Sequence, residues 1–166
     1  VGLANLDRVA IYPFADGLLD AMPPARGKGR IFKVFDFLSA LRPSGVTNLR
    51  DSLAAFVHRT RRRGVAIVIS DFYDPAGYEE GLNLLRYHRF EPAVIQLIDP
   101  HEANPTLRGD LELSDMETGE LRQVTLTAAL CAEYARAHAA YCQALEAFCS
   151  GRGIGYLRAE TNVPFE

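Results

Sequence analysis

Two short stretches hold side chains that could act together. Gly45-Val46-Thr47-Asn48-Leu49 places a hydroxyl at the mouth of a helix, and Val65-Ala66-Ile67-Val68-Ile69-Ser70-Asp71 ends an apolar run in a carboxylate. A hydroxyl and a carboxylate on neighbouring loops suit a hard divalent cation such as Mg²⁺ or Mn²⁺, which prefers oxygen ligands and keeps several waters. Thr47 and Asp71 are therefore the candidate metal ligands. Asp74, Asp99, His101 and Glu102 also follow apolar runs and extend the set as candidate rim or partner-binding residues. Each has a plainer alternative. Asp after a strand commonly stabilises a turn or caps a helix, and Asp74 and Asp99 both precede a proline, a common first helical residue. His101 and Glu102 form either an acid-base pair or a solvated loop.

Other chemistries find less support. No Gly-x-Ser-x-Gly elbow is present. Cys131, Cys142 and Cys149 fall in one helical stretch, away from the strand ends, and read as small core hydrophobes. Cys142 and Cys149 lie too far apart for a disulfide, because seven helical residues rise about 10 Å and a bridge needs Cα atoms within about 7 Å. Gly27-Lys28-Gly29 lacks the full spacing of a phosphate loop. The cluster Arg59-Thr60-Arg61-Arg62-Arg63 reads as dipole complementation at a helix C-terminus. His58, His88 and His138 fall on helices as surface or boundary residues.

The elements that must position the candidates follow from periodicity. Residues 8–14 read as a strand, Asp16-Gly17 as a hairpin turn, and residues 18–22 as an antiparallel edge strand stopped by Pro23-Pro24. Residues 31–41 form a helix with Phe32, Phe35, Leu38 and Leu41 on one core-facing stripe, broken by Pro43 and Gly45. Thr47 or Asn48 caps the next helix, whose Leu49, Leu53, Phe56 and Val57 face the core. Residues 65–69 read as a central parallel strand buried on both faces. A helix over 77–87 and a strand over 90–98 complete a β-α-β unit, so the two strands are expected to be parallel. Residues 109–126 form a β-hairpin insert, turning through Asp115-Met116-Glu117-Thr118-Gly119-Glu120. A long Ala-rich helix over 127–150 packs through Ala137, Tyr141, Leu145 and Phe148. Gly151 and Gly153 end it, and residues 154–157 supply a last strand. The fold class is α/β, a doubly wound, mostly parallel open sheet. In such sheets the binding crevice lies at the carboxyl ends of the strands.

With 166 residues and 48% apolar side chains, the chain can build one domain with a sizeable core. A net charge of −3 argues against general nucleic-acid binding. No run approaches the roughly 18 apolar residues of a membrane span, and no secretory leader is visible. Three thiols, an odd number, fit a reducing compartment, and a cytoplasmic location is expected. The opening residues 1–6 read as the tail of a helix, so the domain, spanning residues 1–166, is expected to be incomplete at its N-terminus.

The chain resembles the von Willebrand factor A-like domain of the bacterial "domain of unknown function 58" family, whose genes commonly sit beside MoxR-type AAA+ ATPases. The likeness rests on Asp7-Arg8-Val9-Ala10, Gly45-Val46-Thr47-Asn48-Leu49 and Val68-Ile69-Ser70-Asp71-Phe72 with Asp74. It continues through Asp99-Pro100-His101-Glu102, residues 115–120, and Tyr156 with Thr161. The resemblance implies an interaction role and a metal-ion-dependent adhesion site, with Thr47 and Asp71 matching its second- and third-loop ligands. The Asp-x-Ser-x-Ser motif that supplies the remaining ligands is absent from this sequence. A cation is thus implied for the intact domain and not for this chain alone. The missing strand would lie between residues 8–14 and 65–69. The sheet then closes up, a partner or a second copy in a homodimer supplies a strand, or further residues supply it. Two functions stay open: a noncatalytic protein-binding module, with a MoxR-type ATPase as the implied partner and no membrane contact, and a Mg²⁺- or Mn²⁺-dependent phosphohydrolase using Asp71, Asp74, Asp99 and His101.

Overall fold

The computed structural model describes residues 2–42, 45–105, 108–115 and 119–164. Strands β1 (Val9–Ile11) and β2 (Met22–Ala25) pair antiparallel as a ribbon, followed by helices α1 (Ile31–Ala40) and α2 (Leu49–Arg59). Then come β3 (Val65–Ser70), α3 (Glu79–Tyr87), β4 (Glu91–Ile98) and the single turn α4 (Pro100–Ala103). An antiparallel hairpin, β5 (Gly109–Ser114) and β6 (Leu121–Leu126), precedes the long helix α5 (Ala128–Ser150) and β7 (Gly155–Glu160). The central sheet has the order β3-β4-β7, and both pairings are parallel. The architecture is mixed α/β, as expected.

One core unites the sheet with three helices. Ala66, Val68 and Val94 point from the sheet into a cluster with Leu53 and Val57 of α2, Leu82 and Leu85 of α3, and Leu145 and Cys149 of α5. Gly81 lets α3 ride close on α2, since a Cβ there would sit 3.0 Å from Leu53 Cδ1 and 3.5 Å from Arg50 Cα. The three cysteines are buried and unpaired by disulfides, as small core residues should be. Asn48, rather than Thr47, caps α2, its Oδ1 accepting from the Asp51 N–H at 2.9 Å. Thr127 caps α5 through the Leu130 N–H.

Several expectations are corrected. β3 is buried on one face only: Val65, Ile67 and Ile69 are 66%, 57% and 52% exposed. The helices that join the core cover the opposite face, and among the described residues no strand pairs with the outer edge of β3. The doubly wound arrangement expected for this sheet is therefore not shown by the described residues, whose helices cover one face. The return strand of the first ribbon is Met22–Ala25 rather than 18–22, and Pro23-Pro24 lie inside it. A two-stranded ribbon has an open edge on each strand, which tolerates residues without an N–H. The α1 stripe faces outward, with Phe32 72% exposed, while Val34 makes the buried contact with Leu3 and Met22. On α5, Ala137 is exposed, whereas Leu145 is buried and Tyr141 and Phe148 pack on the core. Pro43 and the hairpin residues Met116, Glu117 and Thr118 lie outside the described residues.

Candidate functional site

The rim at the carboxyl end of the sheet is organised by the segment Ser70-Asp71-Phe72-Tyr73-Asp74. Phe72 adopts φ 67°, a left-handed conformation unusual for a bulky side chain. Its neighbours hold it there. The ring is fully buried, the Ser70 Oγ accepts from the Phe72 N–H at 3.0 Å, and the Tyr141 hydroxyl donates to the Phe72 carbonyl. The Asp74 N–H also donates to that carbonyl at 2.8 Å.

The bent segment gives its two aspartates different roles. Asp74 is buried, and its Oδ2 accepts from the Leu49 N–H at 2.6 Å, in the first turn of α2. Its Oδ1 accepts from the Ala76 N–H at 2.7 Å. This carboxylate fastens the loop after β3 to the start of α2, and so sets the loop of Thr47 beside the loop of Asp71. The α2 mouth is tied from a second side, where the Asn48 N–H donates to the Ala15 carbonyl at 2.8 Å. Asp71 is exposed; its Oδ1 accepts from the Tyr73 N–H at 3.1 Å and from Ser70 Oγ at 3.3 Å. Thr47 is half-buried beside the Asn48 cap.

The other rim candidates separate. Asp99 caps the short α4, its Oδ1 accepting from the His101 N–H at 2.8 Å. His101 and Glu102 are exposed on that turn. α5 contributes residues not anticipated for the rim: Tyr134, His138 and Tyr141, spaced so that they share one helix face. Tyr73 lies between them, with ring centroids 5.5 Å from Tyr141 and 6.3 Å from His138. Burial raises the phenol pKa values of Tyr73, Tyr134 and Tyr141 above the ordinary value, and Glu102 adds to the rise at Tyr73 and Tyr134. Beneath them Gln96 is fully buried, accepting from the Tyr156 hydroxyl at 2.6 Å. The helical spacing of 134, 138 and 141 was the available sequence signal.

As a metal site the donor set is thin. Both oxygens of Asp74 accept backbone N–H groups, so the exposed Asp71 carboxylate is the acidic donor these joined loops present outward. Among the described residues, no group of three or more His, Cys, Asp or Glu could hold a metal ion. Two ligands fit a largely hydrated cation completed from outside and do not fit a tightly held resident ion.

The comparisons with known proteins place the chain. A family model described as "Protein of unknown function DUF58" matches residues 2–143. The chain belongs to that family. An uncharacterized protein of Mycobacterium avium is 36% identical over 100 residues, 60% of this chain and 59% of that protein. An uncharacterized protein of Mycobacterium tuberculosis is 35% identical over 100 residues, again 60% of this chain but 31% of the relative. The match thus spans less than two thirds of either relative. Among solved structures, BatB from Bacteroides thetaiotaomicron superposes with TM-score 0.50 at 15% identity, covering 93% of this chain and 72% of that one. An aerotolerance-related membrane protein from Bacteroides fragilis gives TM-score 0.53 at 15% identity, covering 93% and 73%. At that identity the likeness concerns the fold alone. For the DUF58 chain itself, no helix among the described residues is long and apolar enough to cross a membrane.

Proposed function

We propose that this DUF58 chain is a noncatalytic protein-binding module of von Willebrand factor A-like type, and that the carboxyl-end rim is its binding face. The observation that supports this best is the division of labour between Asp74 and Asp71. Asp74 braces two loops from inside, and Asp71 is left outside with an exposed carboxylate next to the half-exposed ring of Tyr73. A rigid scaffold holding an exposed acid suits recognition. In this reading Thr47 and Asp71 hold a hydrated Mg²⁺ or Mn²⁺ in the intact domain, and a carboxylate from the partner completes the coordination. The partner in this reading is a MoxR-type AAA+ ATPase, acting in assembly or maturation.

The phosphohydrolase reading has weaker support. It needs a base within about 3 Å of an activated water. Of its four residues, Asp74 and Asp99 accept backbone amides that brace a loop and cap α4. The test is capture of the ATPase by the full chain with and without Mg²⁺. Capture that requires Mg²⁺ and is lost in Thr47→Ala and Asp71→Ala is the expected result. Capture unaffected by chelation and by both substitutions would refute the metal-dependent rim. Phosphatase turnover that disappears in Asp71→Asn would overturn the noncatalytic reading.

A further inference from the structure

We propose that the pole opposite the rim is a second docking surface, one that takes an acidic segment of a partner protein. The C-terminal ends of α2, α3 and α5 converge there with the starts of β3 and β4. They border a shallow, open depression of ≈ 580 Å³ lined by Val65, Phe90, Glu91, Arg86 and Arg152. Arg63 lies at the same place, its guanidinium carbon 4.8 Å from the centroid of the Phe90 ring. Arg152 stacks 3.9 Å from the centroid of Phe148. The ends of α2 and α3 also meet, with the rings of His58 and His88 at 6.3 Å.

Complementing helix dipoles does not account for this many cations. The dipole acts within the last turn of a helix. The last turn of α2 already holds His58 and Arg59, and that of α3 holds Arg86. Arg61, Arg62 and Arg63 lie past the end of α2, and Arg152 lies past the end of α5. The ion pairs of the described residues join other arginines, namely Arg50, Arg122 and Arg158. Arg63, Arg86 and Arg152 therefore have no carboxylate partner among the described residues, although each is exposed beside the depression. Two of the three are held over aromatic rings, which fixes the guanidinium planes before a ligand arrives.

The shape and charge select the ligand class. Guanidinium groups bind carboxylates in a two-point geometry. Between them the exposed Val65 side chain offers an apolar contact for a hydrophobic side chain flanked by acids. A long polyanion is disfavoured, because the chain is net negative and its opposite rim is acidic. A bilayer is disfavoured by the concavity, which a flat surface does not fill. The surface is independent of the metal-dependent rim, so either proposal can fail alone.

The test is fluorescence anisotropy of the full chain with a fluorescein-labelled glutamate-rich peptide that carries a central phenylalanine. Saturable binding is expected that weakens as salt screens the charges. The combined Arg86→Glu and Arg152→Glu substitutions should weaken it by at least about tenfold, while Thr47→Ala and Asp71→Ala leave it unchanged. Circular dichroism checks folding, and Arg86→Gln with Arg152→Gln replaces the charge reversal if that variant does not fold. The proposal is overturned by the absence of saturable binding or by equal binding to the arginine variants. Equal binding of the glutamine counterpart peptide, or tighter binding to phosphatidylglycerol vesicles or to an oligodeoxynucleotide, overturns it as well.

Discussion

Removing the Asp74 carboxylate is the sharpest test of how the rim is built. Asp74 accepts two backbone N–H groups that differ in burial. The Leu49 N–H is at a fully buried residue, 2.6 Å from Oδ2, and water cannot replace its partner. Leaving that donor unsatisfied costs about 1–3 kcal/mol. The Ala76 N–H, at 2.7 Å, belongs to an exposed residue and rehydrates, so its loss costs about 0.5–1 kcal/mol. The negative charge also sits at the N-terminus of α2, worth about 0.3–1 kcal/mol. Asp74→Ala should therefore cost roughly 2–5 kcal/mol, and Asp74→Asn, which keeps an acceptor, roughly 1–2 kcal/mol. With a urea m-value of about 2 kcal/mol/M, the alanine variant's midpoint should fall by roughly 1–2.5 M in equilibrium unfolding followed by circular dichroism. Asp71→Ala is the control, because its carboxylate is exposed and should cost under about 1 kcal/mol. Equal costs for the two aspartates, or an Asp74→Ala cost below about 1 kcal/mol, would refute the assignment of brace and exposed ligand.

Further perturbations probe the packing around that brace. Tyr141→Phe removes the hydroxyl that holds the Phe72 carbonyl and should cost about 0.5–1.5 kcal/mol in the same unfolding assay. Leu82→Ala, at a fully buried position, should cost about 2–5 kcal/mol, whereas Ile67→Thr on the open sheet face should stay within about 0.5 kcal/mol; equal costs would mean that this face is covered in solution. Stability should fall at alkaline pH. Burial raises the Cys149 thiol above its ordinary value of 9.0, against the opposing pull of Arg152, and raises Tyr73 and Tyr141 above 10.0. The folded state therefore holds these protons more tightly than the unfolded state. The contribution is complete below pH 9 and is lost as the pH climbs through the folded values, which a pH series of urea midpoints measures.

Elements whose local signals agree with their packing were legible in the sequence. The apolar spacing of α2 places Leu49, Leu53 and Val57 in the core, and the β3-α3-β4 unit pairs in parallel. The sequence offers Thr47 or Asn48 as the α2 cap, and Asn48 is the residue that accepts the Asp51 N–H. What failed were inferences that needed to know what lies outside each element. An apolar run such as Val65-Ala66-Ile67-Val68-Ile69 specifies a strand but not how many of its faces are covered. The Phe32, Phe35 and Leu38 stripe on α1 is amphipathic, yet the helix packs through Val34 instead. At the rim, Asp71 and Asp74 looked alike because each follows an apolar strand. Their difference arises from a hydrogen bond across 25 residues of chain, which no local pattern encodes.

The left-handed residue between the aspartates connects these points. A bulky side chain at φ 67° is disfavoured by roughly 1–2 kcal/mol relative to ordinary backbone. Full burial of the Phe72 ring, worth about 1.5–3 kcal/mol, offsets that cost and fixes the bend. The bend accompanies the buried Asp74 contact with α2 and the exposed Asp71 carboxylate beside the Tyr73 ring. Strain at one backbone position is therefore coupled both to the bracing of the α2 mouth and to the presentation of the rim. Phe72→Gly perturbs the bracing and the presentation together. It relieves the strain but removes the buried ring, so stability should fall by about 2–4 kcal/mol. If the rim proposal holds, Asp71-dependent capture should weaken along with it, even under conditions where the variant remains folded. Capture that persists undiminished in a folded Phe72→Gly protein would show that the bend does not set the position of Asp71.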